Sequence, residues 1–201
     1  MAFRKIIKYP SQFLLKKSIP VSEVTEDITQ LVSDLRDTLN VAGGSGLAAP
    51  QIGFHHRVIY VSCPGFDQEM INPVIKSFDE LQGLPEGCLS FPGVVETIPR
   101  YSKISAEYMT LDGNICNVDL EGLPAQVVQH EIEHLDGRLM IDKLSRLKRS
   151  RAVRRVKKVK KEVDVWLTTK DSETTITKVK RNSHLSKKEI KNRRSRRKQN
   201  R

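Results

Sequence analysis

The chain has 201 residues, with 35 Lys and Arg against 24 Asp and Glu, a formal net charge of +11. The excess is uneven: residues 1–142 carry 11 basic and 19 acidic side chains, a net of −8, and residues 143–201 carry 24 and 5, a net of +19. An acidic body argues against a nucleic-acid binder that is cationic throughout, and no run approaches the roughly 20 apolar residues of a membrane-spanning helix.

One domain is expected from the length. The N-terminus lacks the apolar stretch of a signal peptide, so secretion is not expected. Its first 22 residues have five basic and no acidic side chains, as a transit peptide would, but Tyr9-Pro10 interrupts any helix there. Cys63, Cys88 and Cys116 are too few and odd in number for a disulfide framework. A reducing, cytoplasmic setting is the expectation.

In chain order, Thr25 to Asn40 reads as an amphipathic helix. Thr25 is placed to cap it, Glu26 and Asp27 fall in the first turn, and Ile28, Leu31, Val32, Leu35 and Leu39 recur at helical spacing. The Gly-rich loop Gly43-Gly44-Ser45-Gly46 follows. Strands are predicted at Arg57–Ser62, Met70–Ile75, Lys103–Leu111 and Asn114–Leu120, the last two joined by Asp112-Gly113. Pro124 opens a second helix that runs through His130-Glu131-Ile132-Glu133-His134 to Asp136-Gly137. From 145 to about 165 a narrow stripe of Leu147, Val153, Val156, Val159 and Val163 marks a basic helix, and residues 166–201 hold too few aliphatic side chains for a core.

His130 and His134 stand four apart, 40° from alignment on a helix, so both rings project from one face and can share an ion. Glu131, one step round, is placed as a general base. With Val127, Val128 and Leu135 making the helix largely apolar, buried His and Glu side chains call for a metal. A third protein ligand must come from elsewhere, and Cys88 in Glu86-Gly87-Cys88-Leu89-Ser90 is the best candidate. Cys63 and Cys116, inside apparent strands, read as small buried hydrophobes.

Three segments in order, Gly44-Ser45-Gly46-Leu47-Ala48-Ala49-Pro50-Gln51, Glu86-Gly87-Cys88-Leu89-Ser90 and Gln129-His130-Glu131-Ile132-Glu133-His134-Leu135-Asp136-Gly137, resemble the three signature motifs of the peptide deformylase family. The similarity spans about residues 6–162. It implies an α+β fold, with antiparallel β-sheets around a central helix carrying the His-Glu-Ile-Glu-His motif, an N-terminal helix and a basic C-terminal helix. Residues 1–165 would form the catalytic domain, including the basic helix at about 145–165, and 166–201 a basic tail, disordered or weakly ordered.

The resemblance further implies a metal held by Cys88, His130 and His134, with Glu131 as general acid and base. The oxyanion would be held by the backbone N–H of Leu89 and the amide of Gln51. Gly44 and Gly46 belong to the loop that meets the extended substrate, and Leu123, Val127 and Gln126 to the pocket of its first side chain. The reaction implied is hydrolytic removal of the formyl group from formyl-methionyl nascent peptides, releasing formate. The metal implied is Fe²⁺, with Zn²⁺, Ni²⁺ or Co²⁺ able to replace it.

Two positions depart from the usual pattern: Glu133, where Asp is commoner, and Gln126, where an apolar residue is. The first bears on how the metal ligands are oriented and the second on side-chain preference. The resemblance and the +19 of the basic end together imply docking on ribosomal RNA at the ribosome. Two other readings share some of these features. A metallopeptidase uses the same His-Glu-x-x-His geometry, and an RNA-binding protein could hold a structural metal.

Overall fold

The computed structural model describes residues 3–159. Its compact unit closes at Val156. Of the second unit, from Lys157 on, residues 157–159 are described and are helical.

The first helix, α1 (Glu26–Ala42), starts within one residue of the sequence expectation. Thr25 occupies the N-cap position with extended backbone, but its hydroxyl makes no capping bond. Its carbonyl instead accepts from the Thr29 hydroxyl at 3.2 Å. Gly43, at φ 70°, ends the helix in the left-handed region and donates its N–H to the Leu39 carbonyl at 2.9 Å.

Five antiparallel strands follow in sequence order, each paired with the next: β1 (Gly46–Ala48), β2 (Val58–Cys63), β3 (Phe66–Gly87), β4 (Val95–Met109) and β5 (Ile115–Glu121). They form one continuous ladder. β3 is far longer than the Met70–Ile75 segment predicted, because its second half carries Lys76, Asp79, Glu80 and Gln82 and so lacks apolar alternation. Register shifts near Ile71/Val74 and Ile75/Ser77 bend it. At the first bend Asn72, at φ 51°, clasps the Val21 backbone, accepting from its N–H at 2.9 Å and donating to its carbonyl at 2.7 Å.

β2 explains the layering. Its apolar run is continuous rather than alternating, and both faces are covered. Val58 and Tyr60 face α1, with Leu31, Leu35 and Leu39. Ile59 and Val61 face the second helix, α2 (Leu123–Leu135), with Val128, Ile132 and Leu135. α2 touches every strand of the sheet. A third apolar cluster gathers Leu14, Phe91, Ile98 and Leu139 around Ala152 and Val156 of the C-terminal helix. That helix, α3, is seen at 146–159 and starts one residue after the expected Ser145; residues 160–165 of the expected helix and the tail 166–201 lie outside the described residues.

Candidate metal centre and its cavity

α2 is apolar enough to be a core helix, and Ala125 through Leu135 are all buried on it. His130, Glu131, Glu133 and His134 are each less than a tenth exposed. The two rings meet edge on, centroids 4.9 Å apart at 78°. Cys88 arrives from the end of β3, immediately after Gly87, and its Sγ lies 3.3 Å from His134 Nε2.

One ligand atom from each of Cys88, His130 and His134 falls within 4.8 Å of the others, the only such cluster among the described residues. Bonds of about 2.3 Å to sulfur and 2.1 Å to nitrogen, at a tetrahedral angle, separate the two donors by about 3.6 Å. The observed 3.3 Å between sulfur and nitrogen fits an ion of that size. The charges fit as well. Burial disfavours protonated His130, yet Cys88 and Glu86 outweigh it and raise the ring well above the usual imidazole range. His134 goes the other way, held well below that range by burial and by the charge on His130.

Each candidate ligand is held by neighbours. His130 Nδ1 is 2.6 Å from Glu86 Oε1, and Glu86 receives Arg100 through two bonds, Nε at 2.7 Å and Nη2 at 2.8 Å. Burial would push Glu86 up, but Arg100 and His130 hold it down at about 2. Arg100 Nη1 also pairs with Glu133 at 2.8 Å, and Glu133 with Lys143 at 2.6 Å. Cys88 Sγ accepts from the Ser90 N–H at 3.4 Å and lies 3.7 Å from Gln51 Nε2.

Gln51 sits in a short 3-10 turn, Ala49–Ile52. Its Oε1 accepts the Ala48 N–H at 2.8 Å, so its amide nitrogen is turned toward Cys88 and the Ser90 hydroxyl. The N-terminal segment braces this arrangement. Ile7 donates to the Gln51 carbonyl at 2.8 Å, Tyr9 to the Ser90 carbonyl at 3.0 Å, and the Ser90 hydroxyl to the Ile7 carbonyl at 2.8 Å.

A cavity of about 390 Å³ opens onto the cluster. Gly44, Gly46, Gln51, Cys88, Leu89, Leu123, Gln126, Val127, His130 and Glu131 all line it, together with Ser45, Pro85, Glu86 and Gly87. His134, the one remaining candidate, is outside that wall and joins through Cys88. Gly46 is there for closeness: a Cβ on it would lie 2.5 Å from Val127 Cγ1 and 2.7 Å from Glu131 Oε1. Gln126 spends its Nε2 on the Pro85 carbonyl at 3.0 Å.

Burial pushes the Glu131 carboxyl up to about 7; the charge on His130 works against that and the charge on Glu86 with it. Its Oε2 is buried without a hydrogen-bond partner in the structure. A carboxylate poised near neutrality with one oxygen unengaged is suited to carry a proton.

Arg100 and Lys143 escaped the sequence reading, and Ser90 and Glu86 were quoted there only within a motif. A signal for Arg100 was present. On β4 the inward positions alternate as Ile98, Arg100, Ser102, Ile104 and Ala106, all buried, so a guanidinium in that register must serve a buried carboxylate. Gln129 was quoted only as part of a motif. Its side chain grips the edge of β4, accepting from the Tyr101 N–H at 3.0 Å and donating to the Tyr101 carbonyl at 2.7 Å.

Comparison with known proteins agrees with this geometry. Residues 3–150 match the family model of polypeptide deformylase. A peptide deformylase of Maricaulis maris is 44 % identical over 170 residues, covering 82 % of this chain and 98 % of the relative. The crystal structure of a peptide deformylase from Legionella pneumophila superposes with a TM-score of 0.79 at 37 % identity, over 81 % of this chain and 98 % of that one. That of Ehrlichia chaffeensis peptide deformylase in complex with actinonin does so with 0.76 at 35 %, over 81 % and 98 %. Matched over most of its length by a family model and by relatives well above 30 % identity, the chain belongs to the peptide deformylase family, hydrolases that remove the N-terminal formyl group from nascent peptides.

Proposed function

We propose that Cys88, His130 and His134 hold one divalent ion, and that formyl-methionyl peptides are hydrolysed in the cavity beside it with Glu131 as proton carrier. The convergence of the three donors within 4.8 Å on a cavity that also contains Glu131 carries this reading. A divalent ion held there would supply Lewis acidity, lowering the pKa of water to about 7. Glu131 takes a proton at its carboxylate as water adds to the formyl carbon, and returns it to the departing amine nitrogen. Formate and a free N-terminus result.

Gln51 Nε2 and the Leu89 N–H are the donors for the oxygen on which charge develops. Gln51 is preset for this because Ala48 occupies its carbonyl end. Gly44 and Gly46 leave room for an extended peptide backbone to lie along β1, and Leu123, Val127 and Gln126 receive the methionine side chain. Fe²⁺ is the proposed ion on the strength of the family resemblance alone; Cys with two His suits borderline-soft metals in general, so Zn²⁺, Ni²⁺ and Co²⁺ fit the same donors.

Formate release from a formyl-Met-Ala-Ser peptide by anaerobically prepared protein tests the activity. Metal analysis of Cys88→Ala separates it from a metallopeptidase with another third ligand. Near-complete loss of bound metal is expected, and full retention would reject Cys88 as a ligand.

We also propose a cytoplasmic enzyme that meets its substrate at the ribosome. The +19 over residues 143–201 supports this, and Arg146, Lys148, Arg149, Arg151, Arg154 and Arg155 are all exposed on α3. No helix among the described residues is long and apolar enough to cross a membrane. Truncation after Val165 is expected to weaken co-sedimentation with ribosomes and flatten its salt dependence; unchanged binding would reject the tether.

A further inference from the structure

Lys143 closes the 3-10 turn Met140–Lys143 and is the first residue of the basic end. Its Nζ lies 2.6 Å from Glu133 Oε1 and donates to the Pro99 carbonyl at 3.3 Å. The same Glu133 oxygen meets Arg100 Nη1 at 2.8 Å. The fully buried guanidinium of Arg100 is therefore divided between two carboxylates, with two nitrogens on Glu86 and one on Glu133.

The balance of charge decides how Arg100 is shared. Glu86, Glu133 and Arg100 alone would leave one negative charge in excess in a poorly screened interior, and Glu133 would pull Arg100 toward itself. Whatever Arg100 gives to Glu133 it withdraws from Glu86. Glu86 in turn sets His130, because accepting from Nδ1 fixes the tautomer whose Nε2 lone pair is free for an ion.

We infer that Lys143 is a positioning residue for His130: by neutralising Glu133 it leaves Arg100 to Glu86, and Glu86 to the ligand ring. The inference rests on the proposed reading of Cys88, His130 and His134 as metal ligands. It assigns a task at the site to a side chain that is one-third exposed and outside the cavity wall.

The test is Zn²⁺ affinity, measured by competition with a chromophoric chelator, with thermal unfolding of the metal-free proteins alongside. Lys143→Met and Lys143→Gln, which remove the charge with and without a hydrogen-bonding group, are each expected to weaken binding about three- to tenfold. Lys143→Arg keeps the charge and should bind like the wild type. The decisive variant is the double Glu133→Gln/Lys143→Met. If Lys143 acts by neutralising Glu133, removing that carboxylate restores most of the lost affinity, which a purely structural role for Lys143 would not do. Wild-type affinity in both single Lys143 variants, or a loss that Glu133→Gln does not relieve, overturns the inference. A wild-type protein that binds no Zn²⁺ overturns the ligand reading itself, and this inference with it.

Discussion

Glu131→Gln is expected to lower formate release about 10²- to 10⁴-fold while leaving metal content unchanged, the range for losing a positioned proton carrier. The substitution keeps the shape of the side chain. It removes the carboxylate that burial pushes up to about 7 and whose Oε2 is buried without a partner. The pH profile gives a second readout. The base form is needed, so the wild-type rate falls as pH drops through the carboxyl's pKa. A cation held next to Glu131 favours its charged form, which puts that acid limb at or below pH 7. The limb should vanish in the Gln variant. A variant with undiminished formate release, or a wild-type limb well above 7 that survives the substitution, would remove Glu131 from the proton-carrying role.

Arg100→Met is expected to give the largest loss of stability of any single change near the site, about 3–5 kcal/mol. Its side chain is fully buried between Glu86 and Glu133, and deleting it leaves two buried carboxylates without their shared cation. For a domain of this size that corresponds to roughly 10 °C in the unfolding midpoint of the metal-free protein. The pH dependence has a definite sign. Glu86 is held at about 2 against the 4.5 of an ordinary glutamate, so its contribution is present above about pH 4.5 and is lost as pH falls toward 2. The deficit of the variant is therefore greatest near neutrality and shrinks in acid. An unfolding midpoint within a degree or two of the wild type at pH 7 would show that the carboxylates find other partners.

The candidate cluster of Cys88, His130 and His134 was legible in the sequence because two of its members share one helix and the third stands in a motif the resemblance singles out. His130 and His134 are tied by helical spacing and Glu131 by adjacency, and Cys88 stood in a turn between strands. α1, α2 and β2 were legible because burial writes itself as periodicity or as an unbroken apolar run. The second half of β3 and the first half of β4 were not. That two-stranded ribbon carries Pro85 and Pro99, glycine at 83 and many charged side chains, and pairing across it is a long-range fact no window of sequence contains. The network of Glu86, Arg100, Glu133 and the partly exposed Lys143 was hidden for the same reason. Its members come from four separate elements, β3, β4, α2 and the 3-10 turn Met140–Lys143, and only the inward register of Arg100 and the departure at Glu133 hinted at it.

The clasp of Gln129 on Tyr101 has a consequence for the precision of the centre. Val128, Ile132 and Leu135 press α2 against the sheet through apolar contact, which is indifferent to a small roll of the helix about its axis. Side chains end about 5–6 Å from that axis, so a roll of 10° would carry an imidazole sideways by about 1 Å. A misplacement of that order is enough to cost about 10²-fold in rate. The two hydrogen bonds from Gln129, one residue before His130, are directional where the packing is not. They act as a key in a slot, indexing the helix to the sheet so that His130 and His134 are presented at one angle.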